Sequence, residues 1–431
     1  MDEHRESGLA AQLERRRTAF AQAWDADGAV VVAAGDPIHV PGRGDRTYPF
    51  HAHSEYLYLT DLERPGGILA FDPQDGWTHF VVPVTAEELL WSGTEDMEPG
   101  VPDGARPVDE LHGWLEQRAG RPLANLGAPL DGVSSDDALQ RRARDELTRL
   151  RRVKDDVELA RMRVAAAATG AGFAALAAAI APGATERELQ IELEATFLRS
   201  GADALAFDSI VAAGPHAAVL HFAPTRRAVA AGELVLVDAG GEFRGYASDV
   251  TRTYAASGTF AGAQRHLYDA VLRANRTATE LCRPGVQWRD VHRQAALVVG
   301  EGLVDLGVLR GDLEALFESG AITLFFPHGV GHMVGLGVRD AGGTREPQSP
   351  APGFPALRVD LPLATRYTMT VEPGVYFVEP LLREAAHDGR YREFVSWERV
   401  DELRGFGGIR IEDNIVVTDD GCEVLTAAVP A

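Results

Sequence analysis

A chain of 431 residues is longer than one ordinary core can serve, and two domains, one of them large, are expected. Against 42 basic residues stand 64 acidic ones, a formal charge of -22, which argues against nucleic acid and anionic membranes as partners. Only two cysteines occur, without metal-type spacing, and the charged N-terminus has no apolar run, so neither a disulfide framework, a cysteine-ligated zinc nor a secretory signal is expected, and the protein reads as cytoplasmic.

The first part of the chain has an α/β pattern. Leu13 to about Trp24 is helical in spacing, GAVVVAAG is a buried strand before a turn, GGILAFDP and THFVVPV are further strands, and DELHGWLEQRAG is a helix. Residues 145–164 predict one charged helical linker between the domains. The alanine- and glycine-rich stretch 164–181 is long enough to span a bilayer, but small side chains give little transfer energy, so it reads as a tightly packed helix. A capping box at Thr185–Glu188 opens the next helix. Strands at ELVLVDAG and GYASDVTRTYA follow, then a helical region over 263–306. The last third is expected to be strand-rich, at ITLFFPHGVGH, TMTVEPGVYFV and GFGGIRIEDNIVVT.

Asp238 and Asp249 flank a glycine-punctuated stretch, DAGGEFRGYASD. A hairpin whose turn centres between Phe243 and Arg244 would set them directly opposite, with Cβ atoms roughly 4.5–5.5 Å apart. Like charges so placed require a cation, a shared proton or another register. Charge recurs in three more apolar segments: FFPHGVGHMVGLG with His328 and His332, TVEPGVYF with Glu372, and GGIRIEDNIVV with Arg410 and Glu412. Both glutamates should be buried, where an unpaired carboxylate is costly. Four carboxylates and one imidazole are an oxygen-rich ligand set whose charge two divalent cations would balance. Arg410, two residues before Glu412 and on its strand face, can hold a ligand carboxylate from behind.

The order LVDAG, SDVTRTYA, HGVGH, VEPGVYF, GIRIEDN is similar to that of the pita-bread metallopeptidases, which include methionine aminopeptidase, aminopeptidase P and prolidase. The likeness runs through residues 150–431, opening with R-x-x-K-D-x-x-E-x-x-x-M-R. HAAVLHFAP, EPGVYFVEPLLREA and FGGIRIEDNIVVTDDG most resemble the bacterial prolidases, the Xaa-Pro dipeptidases. The resemblance implies an α/β (α+β) protein with a small creatinase-like domain over 1–150 and a pita-bread catalytic domain over 151–431. It implies a peptidase that cleaves X-Pro bonds of dipeptides or short peptides by a metal-bridged hydroxide. Two divalent ions are implied, Mn2+ in preference to Co2+ or Zn2+, with Asp238 on the first, Asp249 and Glu412 bridging, and His332 and Glu372 on the second. Glu372 matches the general base, and His328 and His221 match groups that stabilise the oxyanion or protonate the leaving nitrogen. Arg358 matches a carboxylate-binding arginine, Tyr376 a substrate-binding tyrosine, and a homodimer is implied.

The chain departs from this pattern at Arg339, where relatives carry a histidine between valine and aspartate, and at Phe207, where tyrosine is common. An arginine keeps its proton near neutral pH, so Arg339 can offer charge and donor geometry but no acid or base chemistry; alternatively it pairs with Asp340. Two rivals to the dipeptidase stand beside it. One is aminopeptidase P, which removes the first residue from longer X-Pro peptides; the other is a non-catalytic pita-bread interaction protein.

Overall fold

The computed structural model describes residues 8–92, 98–344, 351 and 353–430, and the chain divides into two compact units, Met1–Arg151 and Arg152–Ala431. In the first unit, the valine-rich strand Ala29–Ala33 is buried along its whole length and has neighbours on both edges. It pairs antiparallel with Ile68–Asp72 and parallel with Leu123–Gly127, inside a five-stranded sheet completed by Gly76–Val81 and Ala105–Pro107. The helix Leu9–Ala23 precedes the sheet. The helix expected in DELHGWLEQRAG is a 3-10 turn, Val108–Glu110, running into the short helix Leu111–Glu116.

The linker expected as one helix is two, Asp137–Arg152 and Asp156–Ala179. The chain breaks at Asp155, which is extended (φ -83, ψ 179) and whose carboxylate accepts the Glu158 amide while Glu158 returns to the Asp155 amide. By length and composition the helix Asp156–Ala179 could cross a membrane, yet half of its apolar window is buried inside the protein. Its neighbour is the helix Glu186–Arg199, and Gly172 allows the approach: a Cβ there would lie 2.3 Å from the Phe197 ring.

This helix pair covers a sheet of Ile210–Ala213, Leu234–Ala239 and Val250–Ala255 through Phe173, Leu193, Phe197, Val235 and Val237. A second pair, Ala263–Leu281 and Trp288–Asp305, is parted at Pro284 and Gly285, so the expected helical region 263–306 is also two helices. It packs with Trp288, Phe325 and Ile415 over the strands Thr368–Val371 and Asp413–Val417. The run ITLFFPHGVGH is not a strand. It is a series of buried turns in which the Phe325 and Phe326 amides both donate to the Ile322 carbonyl, at 3.0 and 2.9 Å. An apolar run reports burial, and here burial was reached without a ladder.

Candidate metal centre and its cavity

The hairpin is the first part of the site. Leu234–Ala239 pairs with Val250–Ala255, with Asp238 facing Thr251. Its turn centres on Arg244 and Gly245, both left-handed with φ 51 and 80, as two-residue hairpin turns require. The register is therefore two residues from the expected one, and Asp249 does not face Asp238. Because the shift is even, the two aspartates keep a common face and lie on a diagonal. Gly240 sits against Ser248, where a Cβ would come 1.7 Å from the carbonyl oxygen, so only glycine fits. Direct opposition of like charges is avoided, and Asp238 faces a hydroxyl instead.

Three other segments converge on this face. Asp249, His332 and Glu412 bring ligand atoms within 4.8 Å of one another. His332 Nε2 is 3.4 Å from Asp249 Oδ2 and 3.9 Å from Glu372 Oε1. Its Nδ1 lies 3.0 Å from the Met333 carbonyl, which can only accept, so Nδ1 carries a proton and Nε2 is the nitrogen turned to the carboxylates. Arg410 spreads its guanidinium over three partners: Nη2 donates to Asp238 Oδ2 at 2.6 Å, Nε to Thr251 Oγ1 at 2.9 Å and Nη1 to the Tyr376 hydroxyl at 2.7 Å. Thr251 in turn donates to Glu412 Oε2 at 2.7 Å. Asn414 grips the backbone of Asp249 from both sides, and Asn275 donates to the Val371 and Ile411 carbonyls, one residue before Glu372 and Glu412.

These carboxylates are short of positive charge. Burial lifts the Asp238 carboxyl to about 6 and the Glu372 carboxyl to about 7, and it pushes Glu412 well above the carboxylate range, with the neighbouring acids adding to each rise. Burial disfavours charge on His332 as well, but Asp249 and Glu372 outweigh it and raise the imidazole. Asp238 Oδ1 is buried with no hydrogen-bond partner. An orphaned carboxylate oxygen, an imidazole nitrogen and acids held reluctantly negative fit divalent cations.

The cluster lies in a cavity of about 680 Å³ lined also by His221, His328, Arg339, Arg358 and Phe207. Tyr376 is the exception among the expected substrate contacts. It is fully buried behind the cavity, its hydroxyl held between Arg410 and His328 Nε2, the latter at 2.9 Å. His328 Nδ1 donates to the Gly329 carbonyl, so Nε2 accepts from Tyr376; burial first and Arg410 second depress this imidazole to about 3, and it is neutral. His221, by contrast, is exposed on a loop whose feet are moored by Glu186. That carboxylate, wholly buried, accepts from the Ala213 amide (2.9 Å), His216 Nδ1 (2.7 Å), and the Thr225 amide (3.1 Å) and hydroxyl (2.6 Å). Burial opposes its charge, but the four donors hold its carboxyl below the usual range. Phe222 stacks on His216, ring centroids 4.2 Å apart.

Thr251, Asn275, Asn414 and Glu186 were not singled out from sequence. The available signal was a polar residue at a buried position of an apolar strand or helix, which Thr251, Asn275 and Asn414 all show.

Residues 160–419 match the model of metallopeptidase family M24, and residues 13–109 match that of the aminopeptidase P N-terminal domain. The chain is similar to a Phaeosphaeria nodorum protein named probable Xaa-Pro aminopeptidase, 33% identical over 401 residues that cover 89% of this chain and 85% of the relative. Among solved structures it is similar to Pseudomonas aeruginosa aminopeptidase PepP, with TM-score 0.79 and 30% identity over 97% of this chain and 95% of that one. It is likewise similar to proline aminopeptidase P II from Yersinia pestis, with TM-score 0.81 and 29% identity over 97% and 96% of the two chains. The chain therefore belongs to metallopeptidase family M24, with an aminopeptidase P-type N-terminal domain ahead of a pita-bread catalytic domain of a class that works with divalent metal ions.

Proposed function

We propose that the protein is an Xaa-Pro aminopeptidase, releasing the first residue from peptides whose second residue is proline. The dipeptidase expected first from sequence gives way to its alternative, because the relatives carry the aminopeptidase name. The observation that carries the peptidase reading is the gathering of Asp238, Asp249, His332, Glu372 and Glu412 on one cavity. These five residues would hold two divalent ions, manganese being favoured by the carboxylate-rich donor set. Bound there, the ions supply Lewis-acid polarisation of the scissile carbonyl and a nucleophile drawn from water at neutral pH.

The chain's own groups do the rest. Glu372, on the cavity wall with the other acids, can take a proton from the attacking water and return it, the part of a general base. His328 has no proton on Nε2 to give. Its Nδ1–H is held by the Gly329 carbonyl, with Glu372 Oε2 3.6 Å from the same nitrogen. The exposed His221 is the group left to donate to the oxyanion or to the leaving imino nitrogen. Arg410 keeps Asp238 ionised and aimed.

The test compares Ala-Pro-Ala, Ala-Pro and Ala-Ala-Ala after metal stripping and after manganese is restored. The expected result is release of alanine from Ala-Pro-Ala by the restored protein only. Cleavage confined to Ala-Pro would return the dipeptidase, and no cleavage of either proline peptide by metal-loaded protein would reject the peptidase reading.

A further inference from the structure

Three guanidiniums stand on the cavity wall apart from the buried cluster; that of Arg187 is tied to Gln190 and the Pro224 carbonyl, which leaves those of Arg339 and Arg358. Arg339 and Arg358 are both exposed, both line the cavity, and neither forms an ion pair among the described residues. Local geometry explains how they come together. Gly343–Thr344 and Val359–Asp360 form a parallel ribbon, so Arg358 immediately precedes one strand while Arg339 lies just ahead of the other. The two segments touch, a Cβ on Gly342 lying 3.4 Å from the Arg358 carbonyl oxygen.

The simplest neutraliser of Arg339 is Asp340, and it is already engaged. Its side chain is completely buried, where Oδ2 accepts from the buried Lys154 Nζ at 2.9 Å and from the Leu336 amide at 3.1 Å, and Oδ1 accepts from the Ala341 amide at 2.7 Å. Space is closed around this pair: a Cβ on Gly335 would lie 2.4 Å from Asp340 Oδ2 and 2.5 Å from Lys154 Cε. The segment is thereby pinned with the acid inward and Arg339 left to the cavity.

A peptide held for cleavage of its first bond offers this wall two kinds of charge. Its N-terminal ammonium is repelled by guanidinium groups, while a carboxylate is matched by their planar fork of donors. On the Xaa-Pro aminopeptidase reading, we propose that Arg339, with Arg358 beside it, forms a subsite for a carboxylate that the substrate carries C-terminal to the scissile bond. The enzyme would then favour short peptides with a free C-terminus within reach. An acidic side chain at the third residue is the other source of the same group.

The manganese-loaded enzyme is assayed on Ala-Pro-Ala as free acid, the same peptide as C-terminal amide, and Ala-Pro-Asp amide. The free acid should have a KM about tenfold below that of the Ala-Pro-Ala amide, the scale of a charge-assisted hydrogen bond at a half-open site. In Arg339→Gln this ratio should fall toward one, and in Arg339→Lys it should be intermediate. Raising the salt from 0.05 to 0.5 M should shrink the wild-type ratio, an arm that needs no variant. A low KM for the Ala-Pro-Asp amide would make the side chain the source, and a KM equal to that of the Ala-Pro-Ala amide would make it the C-terminus. Equal wild-type KM values for all three peptides, or a ratio unchanged in Arg339→Gln, would overturn the subsite. Failure to cleave any of them would instead strike the peptidase reading.

Discussion

The floor of the cavity and its rim are built under opposite rules. On the floor, Asp249 and Glu412 are buried, and each is gripped by a named partner: Asn414 on the backbone of one, and Thr251, itself held by Arg410, on the carboxylate of the other. At the rim, His221, Arg339 and Arg358 are exposed side chains on loops. A charge in a low-dielectric interior must be compensated atom by atom, so the fold dictates it; a charge in solvent is constrained only where its loop is moored. The floor accordingly sets which chemistry is possible, and the rim decides which peptides meet it.

The largest effect should come from breaking the floor. Replacing Glu412 or Asp249 by alanine removes a ligand and leaves the remaining acids uncompensated, and hydrolysis should fall by at least ~1,000-fold together with metal stoichiometry measured by elemental analysis. Unchanged activity in a metal-free Asp249→Ala protein would dismantle the site described above. A rim mooring should matter less and differently. In Glu186→Gln an amide NH2 replaces one of two oxygens that each accept two hydrogen bonds, so two donors lose their acceptor, and KM should rise about tenfold while metal affinity by calorimetry stays put. Were metal affinity to collapse as well, floor and rim would not be separable.

The smallest effect is on stability and sharpens the picture of a charge-starved floor. Burial raises the folded-state Asp238 carboxyl from 3.8 to about 6. The folded, metal-free protein therefore keeps a proton that the unfolded chain has released, and the stability this residue contributes falls as pH climbs from about 4 to about 6. Thermal unfolding of the chelated protein should show wild type losing Tm relative to Asp238→Asn across that window, and manganese should abolish the trend. The opposite slope would mean that Arg410 already satisfies Asp238 fully.

What could be read from sequence follows the same division. Glu372 after TMTV and Glu412 inside I-x-I were legible because a carboxylate within an apolar strand is out of place, whereas His332 was chosen over His328 as a ligand only through the family resemblance. The hairpin register was not legible, since nothing local marks Arg244 as the residue that takes the left-handed position ahead of Gly245. The helix break at Asp155 was spelled out by its Asp-x-x-Glu spacing but was outweighed by the charged periodicity on either side. Glu186 was seen only as part of a helix start, because its four donors come from residues 27 to 39 positions away. Tyr376 was placed among the substrate contacts, yet a tyrosine in a strand reveals its strand, not what lies over its hydroxyl.

The hydrogen bond between Thr251 and Glu412 joins residues 161 positions apart. At roughly 5–20 residues per second, a ribosome takes about 8–30 s to travel that far. Through that interval the aspartate hairpin exists without the arginine, the asparagine and the glutamate that complete it. The strands that carry the acids are born early and the strand that reconciles them arrives last, so closure of the catalytic unit waits on long-range pairing, the slow kind. A nascent chain halted before residue 405 should therefore leave the hairpin open to protease, and release of the final strand should protect it.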